Sequence, residues 1–512
     1  MTIFRIRNIG ELFVSYFLIH INTTPSVKNK TMKRNYFILF FCSFMSITFS
    51  QEDKKIYSEA FKLVEVWLDA QRDFDQLPSL SAVVVENQQT LWSGAFGFAN
   101  LEENVPAQVS TICSICSISK LFTAIAIMKL YEQEKLRLDD KVSDLLPQYN
   151  LQQKFPDSGP VTIRSLLTHS SGLPREANFP YWTKPNFTFP TKQQIDSKLN
   201  DQETLYPAST YFQYSNLGVS LLGEIIEELS GVTYEVYIQQ NILDPLGLSN
   251  TRTDLPEQFY GSKLAIGYSA LTRSGNREKV NFFRANGIAP AAGFSSDVTD
   301  LGKFASWQFR LRDSKISEIL KPSTLKYMQN VHWVNPDWNT TWGLGFSVYK
   351  GARGSTWVGH SGKCPGYETT LQMDLKNKRA YAVMVNANGV DIGKYVRGIR
   401  TILEKINSKT KWGSKNVKIK KKKLQEYVGY YNTMPWNSEE FVSTFGDNLV
   451  VLKLPSNNPI YAMNFYKFIE GDTFRRIRGD NTLGETVVFE RDENGKITHY
   501  KQHGNYKTRL DR

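Results

Sequence analysis

Residues 113–133 read Cys113-Ser-Ile-Cys116-Ser117-Ile-Ser-Lys120-Leu-Phe-Thr-Ala-Ile-Ala-Ile-Met-Lys-Leu-Tyr-Glu-Gln133. From Ser117 on, Ala, Leu, Ile and Met dominate, which predicts a helix over 117–133. Ser117 and Lys120 open it three residues apart, nearly one turn, so both side chains project from one face. A serine hydroxyl is a poor nucleophile unless a base holds its proton, and a desolvated lysine beside it is such a base. The unpaired N–H groups and the dipole at a helix start also favour a developing oxyanion. An S-x-x-K tetrapeptide arises easily by chance, so the rest of the chain has to decide.

Working outward, residues 53–76 carry Ile56, Phe61, Val64, Trp67 and Leu68 near helical spacing and read as an amphipathic opening helix. Ser81–Val85 and Thr90–Phe98 form a predicted hairpin about Glu86-Asn87-Gln88-Gln89. A second helix follows Asn216 and stops at Gly231. Strand-like runs come at Trp342–Tyr349, Tyr367–Leu375 and Ala380–Asn386, and a closing helix at about Ile392–Ile406. The order predicts an α/β (α+β) layout, an antiparallel sheet flanked by helices with a helical insertion. Residues 424–512 change character to short alternating strands with turn signals at Gly446-Asp447-Asn448, Gly471-Asp472 and Asn494-Gly495. They read as a small C-terminal antiparallel β domain, a candidate barrel. Its aromatics are expected to be core, and a part in gating substrate is open to it.

The chain has 512 residues, and 41% hydrophobic with 22% charged content excludes collagenous, coiled-coil and largely disordered classes. Its +12 charge is concentrated in two places, +5 in residues 1–50 and +8 from the lysines of 409–423, leaving −1 elsewhere. No nucleic-acid partner is expected. Met32-Lys33-Arg34, the apolar Tyr36–Ile47 and Thr48-Phe49-Ser50 read as an export signal, with Met32 a candidate true start. The expected segments are a 1–50 leader and signal peptide, a 51–408 domain that carries the Ser117 and Lys120 pair, a 409–423 Lys-rich linker and the 424–512 β domain. The protein is expected to be periplasmic or secreted; the alternative is an N-terminal membrane anchor, with membrane contact only if the signal stays uncleaved.

Two further clusters bear on the chemistry. Tyr214-Ser215-Asn216 precedes the second helix, where a phenol beside Lys120 would shuttle the serine proton; the plainer reading is a buried aromatic and a capping Asn. His360-Ser361-Gly362 lies in an extended stretch where small residues admit a substrate to the backbone. S-x-x-K, Y-x-N and H-x-G in this order resemble the serine β-lactamase and penicillin-binding superfamily, closest to its class C-like branch of β-lactamases, DD-peptidases, D-aminopeptidases and esterases. Thr162–Pro174, Asp244–Leu248, Pro290–Ser296 and the H-x-G-x-x-x-G run through Gly366 are similar to further signatures of that branch, and the likeness covers about residues 55–407. Leu424–Tyr431 and Phe489–Gly495 resemble a β domain appended to some of its members.

The resemblance implies a β-lactamase/transpeptidase-like fold and an acyl-enzyme on Ser117, activated by Lys120. It makes Tyr214 general base and then acid, and has Asn216 hold the substrate amide or the lysine. His360, Ser361, Gly362 and Lys363 would line the substrate strand, and the N–H groups of Ser117 and Lys363 the oxyanion hole. No metal or organic cofactor is implied. The substrate is a small molecule or peptide, an amide or ester: a D-amino-acid peptide, a β-lactam or a small ester. The rival is a catalytically idle ligand-binding or sensor protein on the same fold. Two departures stand out. Cys116 occupies the position where the family commonly has Gly, and a Cys116–Cys364 disulfide is conceivable on this fold. His360 replaces the lysine usual in class C enzymes, which weakens recognition of a substrate carboxylate and favours peptidase or esterase activity.

Overall fold

The computed structural model describes residues 57–409 and 421–512. The leader, the export signal, the first residues of the opening helix and most of the Lys-rich linker lie outside the described residues. The opening helix runs over 57–74 and leads into strands Ser79–Glu86 and Gln89–Asn100, the expected hairpin. These two are part of a nine-stranded antiparallel sheet. Its centre runs in spatial order Gln89–Asn100, Ser79–Glu86, Arg379–Val385, Tyr367–Asp374, Thr356–Cys364. The first and last thirds of the domain therefore meet in one sheet, and helices from the middle supply the other face of the site.

The expected single strand at Trp342–Tyr349 is broken. Thr341–Trp342 and Ser347–Lys350 are separate strands, and Gly345 between them has φ +80°. A Cβ there would come within 2.3 Å of Ala124 Cβ, so the chain leaves the sheet to lie on the central helix.

That helix is Ser119–Glu132, with every residue from Ser119 to Met128 buried. A helix apolar on all sides is one enclosed on all sides. Each fully buried Leu, Ile or Phe on it contributes about 1.5–3 kcal/mol, enough to hold polar Lys120 in the same interior. The helix Asn216–Ser230 crosses close by and ends at Gly231 in the left-handed conformation, φ +75°. Its cap is Ser215, whose Oγ accepts from Gly218 N at 2.8 Å, and not Asn216. The Asn216 side chain is thereby released for other contacts.

Residues 429–510 close into an eight-stranded antiparallel barrel, Tyr430 of its first strand pairing with Leu510 of its last. Gly446, Gly471 and Gly495, all at positive φ, make its turns at the expected places. Leu424 and Tyr427 plug one end, fully buried with Phe474 and Phe489. The barrel belongs to one compact unit with the rest of residues 59–512. Buried Trp67 donates through Nε1 to Ser456 O at 2.8 Å, and Lys405 Nζ donates to Met463 O at 2.8 Å.

Candidate active site

Ser117 lies in a single 3₁₀ turn, Cys116–Ile118, immediately ahead of the central helix rather than inside it. Its neighbours from Thr111 to Cys116 and from Ile118 to Met128 are all buried, while Ser117 itself is partly exposed. The turn is tightened by Ser119, whose Oγ donates to Cys116 O and accepts from Phe294 N at 3.0 Å. Cys116 has φ +52°, a left-handed conformation that glycine adopts at no steric cost. The Cys116 thiol turns to Ser114, 3.5 Å from its Oγ, and to Cys364. Cys113, Cys116 and Cys364 are all free, buried thiols, so the pair Cys116 and Cys364 is brought together without a disulfide. Burial pushes the Cys116 thiol well up.

Lys120 reaches Ser117 Oγ at 3.2 Å, Asn216 Oδ1 at 2.8 Å and the Ala291 carbonyl at 2.7 Å. All three acceptors are neutral, and the ammonium is only 2% exposed. Burial therefore dominates and lowers its pKa to about 7; the Glu176 carboxylate beyond Asn216 opposes this and Arg175 adds to it. The Ala291 carbonyl arrives because Pro290 lies against Gly223, where a Cβ would come within 2.2 Å of the proline ring.

Tyr214 is hydrogen-bonded to Ser117, and burial pushes its phenol upward despite that bond. Lys120 does not sit at the phenol oxygen as expected; its Nζ stands over the ring face, 4.8 Å from the centroid, with Arg175 at 5.0 Å. The phenol is thus held neutral and is not a stabilised phenolate. His360 Nδ1 is 2.6 Å from Ser361 O; a carbonyl only accepts, so Nδ1 carries the proton and Nε2 presents its lone pair 3.4 Å from the Tyr214 hydroxyl. Burial, then Lys120, pushes His360 down to about 3. It is neutral at any physiological pH.

The strand Thr356–Cys364 carries the remaining expected residues. Ser361 and Lys363 are exposed and Gly362 between them is buried. Thr369 Oγ1 on the partner strand donates to Ile115 O at 3.1 Å, tying the sheet to the Ser117 turn. A Cβ on Gly362 would come within 2.2 Å of the Ile115 carbonyl oxygen and 2.9 Å of Cys116 Cβ. Glycine is what lets strand and turn approach. Lys363 pairs with Glu368 at 3.1 Å.

Sequence reasoning missed Glu176, Arg175 and His169. Glu176 accepts from Asn216 Nδ2 at 2.8 and 3.0 Å and from Tyr181 OH, so both ends of the Asn216 amide are engaged. Arg175 O accepts from Asn216 N at 2.7 Å. His169 Nδ1 accepts from Ser215 N at 3.2 Å, and its ring lies 4.3 Å from that of Tyr214. The signal was available: His169 is inside the Thr162–Pro174 signature, and Arg175-Glu176 follows it directly. Among the described residues no three His, Cys, Asp or Glu side chains converge to hold a metal.

A family model described as Beta-lactamase matches residues 67–397. The chain belongs to the beta-lactamase family. Similar curated members include Beta-lactamase-like protein 2 of Dictyostelium discoideum, 25% identical over 64% of this chain, and Penicillin-binding protein 4* of Bacillus subtilis (strain 168), 29% identical over 60%. The chain spans 59% of the first and 67% of the second. The octameric penicillin-binding protein homologue from Pyrococcus abyssi superposes with a TM-score of 0.59 at 25% identity, covering 87% of this chain and 99% of its own. That coverage exceeds what the catalytic part alone holds, so the barrel is matched too. A class C beta lactamase from Rhodobacter sphaeroides shares the fold, with TM-score 0.54 and 19% identity over 68% of this chain and 98% of its own.

Proposed function

We propose that this beta-lactamase family protein is an exported serine hydrolase that transfers acyl groups through a covalent acyl-Ser117 intermediate. The observation that carries the reading is Lys120: its amine is 3.2 Å from Ser117 Oγ, and no carboxylate is among the three atoms it touches. Above about pH 7 the amine is neutral and takes the Ser117 proton as Oγ attacks the carbonyl carbon. The N–H groups of Ser117 and Lys363 receive the oxyanion. Tyr214, neutral and hydrogen-bonded to Ser117, hands a proton to the leaving amine or alcohol, and the proton taken up by Lys120 is relayed back to it. Water then enters by the reverse path and releases the acid.

Neutral His360 offers no cation to a substrate carboxylate. This favours small esters and D-amino-acid amides over β-lactams as the preferred substrates. The test is intact-mass spectrometry during a time course with a penicillin, p-nitrophenyl acetate and D-alanine p-nitroanilide. An adduct on Ser117 that turns over faster with the ester or anilide than with penicillin supports the reading. Ser117→Ala is expected to lower turnover of every substrate by roughly 10⁴-fold or more. Undiminished turnover by Ser117→Ala, or no adduct with any of the three, overturns it.

A further inference from the structure

The inward rows of the barrel strands change chemistry along their length. Successive inward residues are two apart. On five strands the pairs run Val442 to Glu440, Val451 to Lys453, Tyr466 to Asn464, Phe474 to Arg476 and Tyr500 to Gln502. The first of each pair belongs to the apolar core, and the second of each lines a cavity of about 680 Å³ at the end opposite the Leu424 and Tyr427 plug. One end of the barrel is sealed and apolar; the other is open and polar.

Two features go beyond what an end facing water requires. The charge is one-sided: Lys453, Arg476 and Lys507 face a single carboxylate, Glu440. Glu440 is already engaged, by Lys507 Nζ at 2.7 Å and by the Tyr500 hydroxyl. Among the described residues Lys453 meets no carboxylate at ion-pair distance. The rim also collects exposed apolar side chains, among them the aromatics Trp436, Tyr461 and Tyr506, against the expectation that the domain's aromatics would be core. Trp436 is 93%, Tyr461 84%, Met434 66% and Tyr506 56% exposed, and the three aromatics and Met434 all line the same cavity. Large apolar groups gathered at one exposed rim mark a contact surface. Arg476 is held only loosely, by Glu485 at 3.7 Å, so flat rings, the unpaired Lys453, the weakly paired Arg476 and the amides of Asn464 and Gln502 around one concavity have the composition of a small-ligand site.

We propose that the open end of the barrel binds a small ring-bearing carboxylate, its ring against Trp436 and Tyr461 and its charge against Lys453 and Arg476. This site is separate from Ser117 and its chemistry.

The experiment is calorimetric titration of the full chain with naphthalene-2-carboxylate and with its neutral isostere, naphthalene-2-carboxamide, each repeated in Ser117→Ala. The carboxylate is expected to bind with a Kd of about 1 mM or below, an affinity ordinary for a ligand of this size. Binding should be unchanged by Ser117→Ala. Lys453→Gln and Trp436→Ala, both at exposed positions and checked for an unchanged melting temperature, are each expected to weaken it by about tenfold, the loss of one charge-assisted or stacking contact. The carboxamide should bind at least about tenfold more weakly than the carboxylate. Absence of carboxylate binding overturns the proposal, as does equal binding of the carboxamide. So does wild-type affinity in the Lys453→Gln, Trp436→Ala double variant.

Discussion

Two lysines in two regions show how the same side chain is put to different ends. Lys120, in the catalytic crevice, is surrounded by neutral oxygens from Ser117, Asn216 and Ala291. Lys507, inside the barrel mouth, has the Glu440 carboxylate against it at 2.7 Å. For Lys120 the loss of hydration outweighs the attraction of the Glu176 carboxylate beyond Asn216, so its neutral form is favoured. Beside a carboxylate the charge is compensated, and the pair fixes geometry instead. Burial alone does not set what a lysine can do. What lies within hydrogen-bond distance decides.

The strongest challenge to this contrast is Lys120→Ala, expected to lower kcat/KM by about 10³-fold or more. In the wild type, kcat/KM should climb as pH rises through about 7, because Lys120 is protonated and inactive as a base below that value. A pH profile flat from 5.5 to 9 with any turned-over substrate would break the comparison. Gly362→Ala comes next. Its Cβ would press on the Ile115 carbonyl oxygen, so strand and nucleophile turn must separate, with a loss of about 10²-fold in kcat measured by steady-state kinetics.

Glu440→Gln sharpens the other half. It leaves Lys507 without its counter-charge, and urea unfolding should show a loss of about 1–3 kcal/mol while turnover at Ser117 stays within about twofold. The smallest expected effect concerns acid stability. His360 stays neutral in the fold down to about pH 3, whereas in the unfolded chain it takes a proton near pH 6.5. Between those values the unfolded state binds more protons, so the His360 contribution is complete above about 6.5 and fades as pH falls toward 3. His360→Gln should flatten that part of the stability curve, read by melting temperature at stepped pH; an unchanged slope would show that His360 is not held neutral.

The distribution of legible features follows from how far apart the deciding contacts lie in sequence. Ser117 and Lys120 are three residues apart on one helical turn, and their meeting follows from local geometry. The barrel turns at Gly446, Gly471 and Gly495 are local too, which is why their places were readable. The strand break at Gly345 was not, because its cause is Ala124 on a distant helix. Glu176 was missed because its function is to hold Asn216, 40 positions on.

By itself the sequence determined the family and named the residues of the proposed chemistry: a serine, a lysine one turn away, a phenol and a glycine-bearing strand. It could not determine the protonation state on which that chemistry runs. The Lys120 pKa falls to about 7 because the lysine is buried in a helix enclosed on every side, where Asn216, 96 positions away, and Ala291, 171 positions away, meet it with neutral oxygens. Only tertiary packing sets the local dielectric and selects the partners. A pKa is a property of that environment and not of the residue.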